Sequence, residues 1–289
     1  MFWGATGPMM EWLLQKTAMT AEFMLAVRLT IAGILILSIV AMQKKSVFSI
    51  WKNRNHSVQL LIFSVIGMVG LQFTFVKSIE VSNAIIATLL QFLAPIFIVI
   101  YTSIIGEVLP PSSQLIGIFG TLVGLFLLLT NGSVSGLLVS NEALVWGLLL
   151  GFTYAFYTLY PARLMAEVGV IIIIGWGMII GGLIFSVTGQ LWKPEQWLLL
   201  LDPVNVVIII ATGILGSFAY ILFLTSLKYI SPVETSILSS IEPLTAMAIS
   251  VVWLGATLYN WQYVGILLML VFVAYLSIAG SKKSPNSNV

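Results

Sequence analysis

Residues 82–105 read SNAIIATLLQFLAPIFIVIYTSII, and residues 231–254 read SPVETSILSSIEPLTAMAISVVWL. Each stretch is largely apolar, has the length of a membrane-spanning helix, and carries a proline near its middle, Pro95 in the first and Pro243 in the second. A proline inside a helix removes one backbone donor and kinks or interrupts the helix. Because this disturbance recurs after 148 residues, the sequence predicts a duplicated membrane domain.

The composition indicates the class of protein. Hydrophobic residues make up 60% of the 289 residues, charged residues make up 8%, and the mean hydropathy is +1.10. One water-soluble core cannot hide that much apolar surface, so we expect a multi-pass membrane protein. A spanning helix needs roughly 20 apolar residues, which leaves room for about ten helices. The apolar runs do not alternate in polarity as the strands of a membrane barrel do, so the predicted class is all-α.

We number the predicted spanning segments one to ten in chain order. Their bounds are 1–18, 21–42, 60–79, 82–105, 112–130, 143–164, 168–190, 203–227, 231–254 and 260–280. Because five is odd, two sets of five segments enter the membrane with opposite orientation, and the duplication predicts an inverted repeat. We expect the first repeat in residues 1–135, the second in 136–280, and a cytoplasmic tail in 281–289. Comparison with segment six predicts that segment one lacks about six residues before Met1.

Lysine and arginine predict the orientation, because cytoplasmic loops retain these residues. Eight of them fall on one side of the predicted topology: Lys44, Lys45, Lys52, Arg54, Arg163, Lys228, Lys282 and Lys283. We therefore expect the carboxyl terminus in the cytoplasm and the protein in the plasma or inner membrane. The same bias accounts for the net charge of +2, so no nucleic-acid partner is predicted.

Residues typical of soluble enzymes are scarce. The chain has no cysteine and a single histidine, His56, so the sequence predicts neither a disulfide nor a His/Cys metal cluster. No Walker lysine follows a glycine-rich loop, and direct use of ATP is not expected. We predict no cofactor, no metal and no catalytic residue.

Several short motifs carry a resemblance to a known family. They are the Phe2-Trp3-Gly4 opening, Arg28, Leu-Ala-Pro at 93–95, Ile-Gly-Glu at 105–107 and Ile-Glu-Pro at 241–243. In these motifs the chain resembles the drug/metabolite transporter superfamily and, more narrowly, its EamA-type ten-helix members. The resemblance implies export or import of small metabolites, including amino acids in some members. Ala256 departs from the family pattern, because many relatives have a glutamate there that matches Glu107.

Ionisable residues inside a bilayer are costly and are therefore candidates for function. Arg28 lies about a third of the way into segment two, and we expect it to pair with a carboxylate or with carbonyls. Among the ionisable residues expected inside the bilayer, Glu11 is the nearest carboxylate in sequence. Glu242 directly precedes Pro243, where a protonatable carboxylate beside a broken helix could couple proton movement to substrate movement. The alternatives are a structural ion pair or snorkelling chain for Arg28 and stabilisation of the broken helix for Glu242.

Polar residues recur at matched positions in the two proline segments. Those seven and four residues before each proline are Thr88, Gln91, Ser236 and Ser239. Each pair occupies one helix face, and equivalent faces of an inverted repeat meet at its axis. We therefore expect these residues along a central cavity with Asn83 at its outer end. The alternative is that they are contacts between packed helices.

Aromatic residues are further candidates for a substrate path, since their rings offer apolar contact and a polar edge. We expect Tyr154 and Trp176 on this path, with Tyr157, Tyr160 and Tyr220 as additional candidates. The alternative for each is packing in the helical core.

The sequence thus predicts a secondary carrier that moves a small metabolite, such as an amino acid or an amphipathic compound, by alternating access, with efflux as the favoured direction. The predicted partners are the small-molecule substrate, the lipid bilayer, and a proton or a counter-substrate. Two alternatives remain open: an intramembrane enzyme that acts on lipid-type substrates, and a truncated remnant that does not transport.

Overall fold

The computed structural model describes residues 1–44, 46–107, 109–134, 136–226 and 241–281. All regular secondary structure in these ranges is helical, which confirms the predicted class. Seven segments in these ranges are long and apolar enough to cross a bilayer, and two further apolar stretches, Ile241–Leu254 and Asn260–Leu276, lie in the helices at the end of the described chain. The chain is therefore a polytopic membrane protein.

The helices follow the predicted segments closely. In the first half, α1 is Phe2–Lys16, α2 is Ala21–Met42, α3 is Arg54–Ile62, α4 is Gly70–Val81, α5 is Ala84–Gln91, α6 is Ala94–Ile105 and α7 is Ser112–Thr130. In the second half, α8 is Asn141–Leu159, α9 is Ala162–Val168, α10 is Val170–Thr188, α11 is Pro203–Ser226, α12 is Ile241–Leu254 and α13 is Asn260–Ser281. Short 3₁₀ helices lie at Ser49–Lys52 and Trp197–Leu201, and a π-helical stretch, Phe63–Val69, joins α3 to α4 within segment three.

Three segments differ from the predicted bounds for identifiable reasons. Segment three begins at Arg54, six residues earlier than predicted, because the Asn53 side chain accepts a hydrogen bond from the backbone N–H of Asn55 and caps the helix. Segment six is interrupted before α9, where Pro161 cannot donate a backbone hydrogen bond. Segment four divides into α5 and α6, and Pro95 lies in the first turn of α6, where a missing N–H leaves no bond unmade.

Helix contacts made in one half recur in the other. Segment one packs against segments eight and nine, and its counterpart, segment six, packs against segments three and four. Segment two contacts segment eight, just as segment seven contacts segment three. The counterparts two and seven pack on each other, as do four and nine, and five and ten. This correspondence is what a duplicated architecture with a pseudo-twofold axis produces.

The counterpart segments two and seven are antiparallel. Thr30 packs against Gly182, whereas Leu37, further along segment two, packs against Gly175, which comes earlier in segment seven. The approach is so close that a Cβ atom on either glycine would overlap its neighbour. Antiparallel packing of equivalent helices indicates that the two halves are inverted with respect to each other.

Candidate functional site

A central cavity lies between the two halves of the chain. Its polar lining residues are Thr6, Arg28, Gln72, Gln91, Tyr154, Tyr220 and Glu242, and they come from seven different segments. The cavity volume is about 30 Å³, enough for roughly one or two water molecules and too small for a metabolite. The conformation is therefore compact around this site.

Arg28 is held in the cavity by neutral partners. Its side chain is buried, its Nη2 donates to Oε1 of Gln72 at 2.9 Å, and its Nη1 lies 2.7 Å from the sulfur of Met10. Gly213 and Gly216 lie beside it, and a Cβ on either would be in ordinary van der Waals contact with the Arg28 side chain, at 3.5 and 3.7 Å. In the part of the chain that the structure describes, no carboxylate forms an ion pair with Arg28.

Gln72 also connects the two halves. Its Nε2 donates to the hydroxyl of Tyr220 at 2.9 Å, and these two residues are 148 positions apart, the same offset that relates the two prolines. The Tyr220 ring meets Trp3 edge-on, with 4.7 Å between ring centroids. The hydrogen bond therefore joins counterpart positions of segments three and eight at the centre of the molecule.

Glu242 lies on the other side of the cavity and is also buried. Its Oε1 accepts a hydrogen bond from Nε2 of Gln91 at 3.3 Å, so one proline segment provides the carboxylate and the other provides the amide. A buried cation and a buried carboxylate thus share one cavity, and each contacts a glutamine. Such an arrangement can bind a solute that carries both charges, or exchange a proton at the carboxylate.

Glu11 serves a different purpose from the expected pairing with Arg28. Its Oε2 accepts from the backbone N–H of Ala84 at 2.8 Å, and its Oε1 accepts from Nε2 of Gln15 at 3.0 Å. Ala84 is the first residue of α5, where a helix has unpaired N–H groups and a partial positive charge. The carboxylate therefore joins α1 to the start of segment four.

The side chains of two further candidates form hydrogen bonds with the backbone of α5 itself. The Asn83 side chain caps the helix by accepting from the N–H of Ile86 at 2.9 Å, and the Thr88 hydroxyl donates to the carbonyl of Ala84 at 2.7 Å. Neither residue is among those that line the cavity. Their roles in the structure are local to the helix.

Trp176 also lies away from the cavity. Its Nε1 donates to the carbonyl of Val47 at 3.0 Å, and its ring packs edge-on against Phe48 and Trp51. It belongs to an aromatic cluster at the connection between segments two and three. Tyr154, in contrast, does line the cavity.

The two serine candidates, Ser236 and Ser239, lie outside the described residues. Pro243 lies in α12, next to Glu242, and is buried. No group of three or more metal-ligating side chains occurs in the described ranges.

Several cavity residues were not selected from the sequence, and Gln72 is the most informative of them. Thr6, Met10 and Trp3 of α1 also line the cavity. Gln72 is the single amide in the stretch 63–76, whose other polar residues are only Ser64 and Thr74. This is a signal of the same kind that selected Gln91. Gln72 also lies 148 residues before Tyr220, which is the repeat offset, so its position as the counterpart of a candidate tyrosine was a second signal in the sequence.

Comparisons with known proteins identify the relatives. The model of the EamA-like transporter family matches residues 1–130 and 141–278. The chain is 34% identical over 293 residues to the "Uncharacterized inner membrane transporter YicL" of Salmonella typhimurium strain LT2, covering 98% of this chain and 93% of that protein. It is 23% identical over 249 residues to the "Uncharacterized transporter YyaM" of Bacillus subtilis strain 168, covering 81% and 77% of the two chains. A solved structure described only as "Crystal structure of protein" matches with a TM-score of 0.54 and 16% identity over 98% of both chains, which indicates a shared fold.

Proposed function

The chain belongs to the EamA-like transporter family, and on that premise we propose that it is a secondary carrier that moves a small metabolite by alternating access. One observation supports this function above the others. A cavity between the two halves holds a buried arginine and a buried glutamate, Arg28 and Glu242. Buried charges in a membrane protein are costly and are retained where a solute or an ion passes.

The proposed substrate is a small solute with an anionic and a cationic group, such as an amino acid, or an amphipathic compound. Arg28 would bind the anionic group with its guanidinium, and Glu242 would bind the cationic group. Trp3 and Phe75, which also line the cavity, offer apolar and aromatic surface for the rest of the solute. The cavity must widen to admit it, which agrees with a carrier that passes through a compact state.

Glu242 is the proposed coupling residue. A carboxylate that can gain and lose a proton inside the cavity would allow a proton gradient to drive substrate movement, and we propose efflux as the direction. The proposed orientation places the carboxyl terminus in the cytoplasm, with the protein in the plasma or inner membrane. Reporter fusions at Val289 test this orientation: a cytoplasm-dependent reporter should be active there, and activity of a periplasm-dependent reporter would contradict the proposal.

Counterflow in proteoliposomes tests the function directly. Purified protein is first screened against metabolites by thermal shift, and vesicles are then loaded with an unlabelled hit and exposed to the labelled compound. We expect labelled solute to accumulate transiently in protein-containing vesicles and not in protein-free ones. Chemical conversion of the solute would support an intramembrane enzyme instead, and neither exchange nor conversion of any hit would support a non-transporting remnant.

A further inference from the structure

The hydrogen bonds of Gln72 have a direction that the neighbouring arginine fixes. A guanidinium carries only donors, so the group of Gln72 that faces Nη2 of Arg28 is the acceptor, Oε1. The amide nitrogen of Gln72 then faces the hydroxyl oxygen of Tyr220 at 2.9 Å and the sulfur of Met68 at 4.0 Å. Tyr220 therefore accepts from Gln72 and keeps its own O–H proton for another partner.

The proton of Tyr220 is free to bind a solute. The side chain is buried and lines the cavity, and among the described residues its hydroxyl forms no hydrogen bond other than the one from Gln72. Arg28 also keeps donors for a solute, because it has five N–H groups and its partners in the described ranges are Gln72 and Met10. Since Arg28 and Tyr220 contact the two ends of one amide group, their donors lie side by side.

The opposite side of the cavity has the reverse polarity. When Glu242 is ionised its carboxylate can only accept, so Gln91 presents its Nε2 to it, at 3.3 Å. The Oε1 atom of Gln91 is then left as an acceptor, and it forms no hydrogen bond within the part of the chain that the structure describes. Both residues line the cavity, so this side offers acceptors to a solute.

We propose that the two glutamines set the polarity of the site and that Tyr220 is a substrate-binding residue. Arg28 and Tyr220 donate to the anionic group of the solute, while Glu242 and Gln91 accept from N–H groups at its cationic end. The inference rests on the carrier function proposed above and narrows the substrate to zwitterions with a primary or secondary ammonium. A quaternary ammonium has no N–H and would leave both acceptors unpaired, which is costly in a buried site.

Three labelled amino acids serve as probes, because Trp3, Leu71 and Phe75 give the cavity apolar surface for a side chain. L-leucine, L-methionine and L-phenylalanine are offered in counterflow, and the one exchanged fastest is then displaced by two derivatives. One is the amine that lacks the carboxylate, which for leucine is isoamylamine, and the other is the N,N,N-trimethyl derivative, which lacks the N–H groups. Each derivative loses hydrogen bonds to a charged group, so we expect each to compete roughly tenfold more weakly than the amino acid. Equal competition by either derivative would overturn the proposal.

Tyr220→Phe tests the newly assigned donor. It should weaken competition by the amino acid roughly tenfold and leave competition by the amine unchanged, so that the ratio of the two affinities falls. Damage to the fold would weaken both competitors and leave the ratio as it was. An unchanged ratio in Tyr220→Phe would overturn the proposal.

Tyr157→Phe is the matched control for this variant. The centroid of the Tyr157 ring lies 5.8 Å from that of Tyr220, yet Tyr157 is not among the cavity residues. Its buried hydroxyl has no hydrogen-bond partner among the described residues. We therefore expect the ratio of affinities in Tyr157→Phe to equal that of the natural chain, and a fall as large as that in Tyr220→Phe would contradict a specific role for the Tyr220 hydroxyl.

Gln72→Glu tests the polarity that the glutamine sets. An ionised glutamate accepts from both Arg28 and Tyr220, so the tyrosine proton turns towards position 72 and the charge of the arginine is offset. We expect the preference for the amino acid over the amine to fall at least as far as in Tyr220→Phe. A preference retained in full would overturn the role of Gln72.

The same measurements separate failure of this inference from failure of the carrier function. If the natural chain exchanges other solutes but none of the three amino acids, the inference is overturned and the carrier function stands. If the natural chain exchanges no solute at all, the carrier function itself is overturned.

Discussion

Arg28 in segment two and Trp176 in segment seven occupy counterpart positions, 148 residues apart, and the structure uses them differently. Arg28 lines the central cavity, whereas Trp176 packs in an aromatic cluster beside Val47. The helices that carry them are antiparallel partners. The backbone arrangement is thus repeated, whereas the cationic side chain of the cavity comes from one of the two counterpart helices only.

Glu242 and Ala94, on the opposite side of the cavity, are a second pair of counterparts with different side chains. Glu242 provides a buried carboxylate where Ala94 provides a methyl group in α6. The first half contributes the cation and the second half contributes the anion. A repeated scaffold suits a cycle with two equivalent openings, while unequal side chains suit recognition of a solute whose two ends differ.

The largest expected effect comes from removing the anion of this pair. Glu242→Gln keeps the shape of the side chain and a hydrogen-bonding partner for Gln91 but cannot take up or release a proton. We expect it to abolish accumulation driven by a pH gradient, measured in proteoliposomes with an imposed gradient. Glu142→Gln, an exposed glutamate of α8, is the matched control. Unchanged gradient dependence in Glu242→Gln would rule out proton coupling at this residue.

Removing the cation should weaken substrate binding without abolishing the fold. Arg28→Gln loses a charge-assisted contact worth about 1.5–3 kcal/mol, which corresponds to a loss of affinity of roughly 10- to 150-fold. The substrate affinity of Arg28→Lys should lie between those of the natural chain and Arg28→Gln. Lysine keeps the positive charge, but its ammonium lacks the planar, forked geometry with which a guanidinium donates to Gln72 and to a solute at once. Arg163→Gln, whose side chain is 86% exposed, should bind normally. Equal affinity for all four proteins, read by competition in counterflow, would remove Arg28 from the site.

Glu11→Ala tests the contact that joins α1 to the start of α5. Glu11→Ala removes the acceptor at the start of α5 and should lower the free energy of unfolding by about 1 kcal/mol, the usual cost of losing a helix cap. Titration of the detergent-solubilised protein with a denaturant, followed by the loss of helix, measures this change. Gln15→Ala, which removes only the partly exposed neighbour of that carboxylate, should have a smaller effect. A Glu11→Ala protein as stable as the natural chain would show that the cap contributes nothing.

The smallest effect should come from the amide that contacts Glu242. Gln91→Ala loses one hydrogen bond, worth about 0.5–1.5 kcal/mol, so we expect substrate affinity to fall by roughly 2- to 12-fold. Gln114→Ala in α7, outside the cavity, is the control. Unaltered affinity in Gln91→Ala would count against its assignment to the cavity.

Much of the fold was accessible from the sequence because membrane helices are specified by local features. A run of apolar residues gives a spanning helix in any context, and Pro95 gives an interruption whatever surrounds it. The bounds of segment three were harder to predict. Its extension to Arg54 depends on a cap from Asn53, in a stretch too polar to be recognised as part of a spanning helix.

The site was less accessible, because its contacts join residues far apart in the chain. Gln91 and Glu242 were selected as buried polar residues, yet their hydrogen bond across 151 positions depends on how segments four and nine cross. Glu11 was the carboxylate nearest to Arg28 in sequence among the residues expected inside the bilayer, but the free N–H groups at the start of α5 compete for it and hold it there. Sequence proximity does not reveal such competition.

Alternating access of the central cavity is the claim on which the account depends, and a single introduced thiol tests it most directly. Thr6→Cys places the only cysteine of the chain on the cavity wall, and labelling with a membrane-impermeant thiol reagent is measured separately from each face of the membrane in oriented vesicles. The account predicts labelling from both faces and none in the natural chain. Labelling from one face alone, in vesicles that transport the solute, would contradict it.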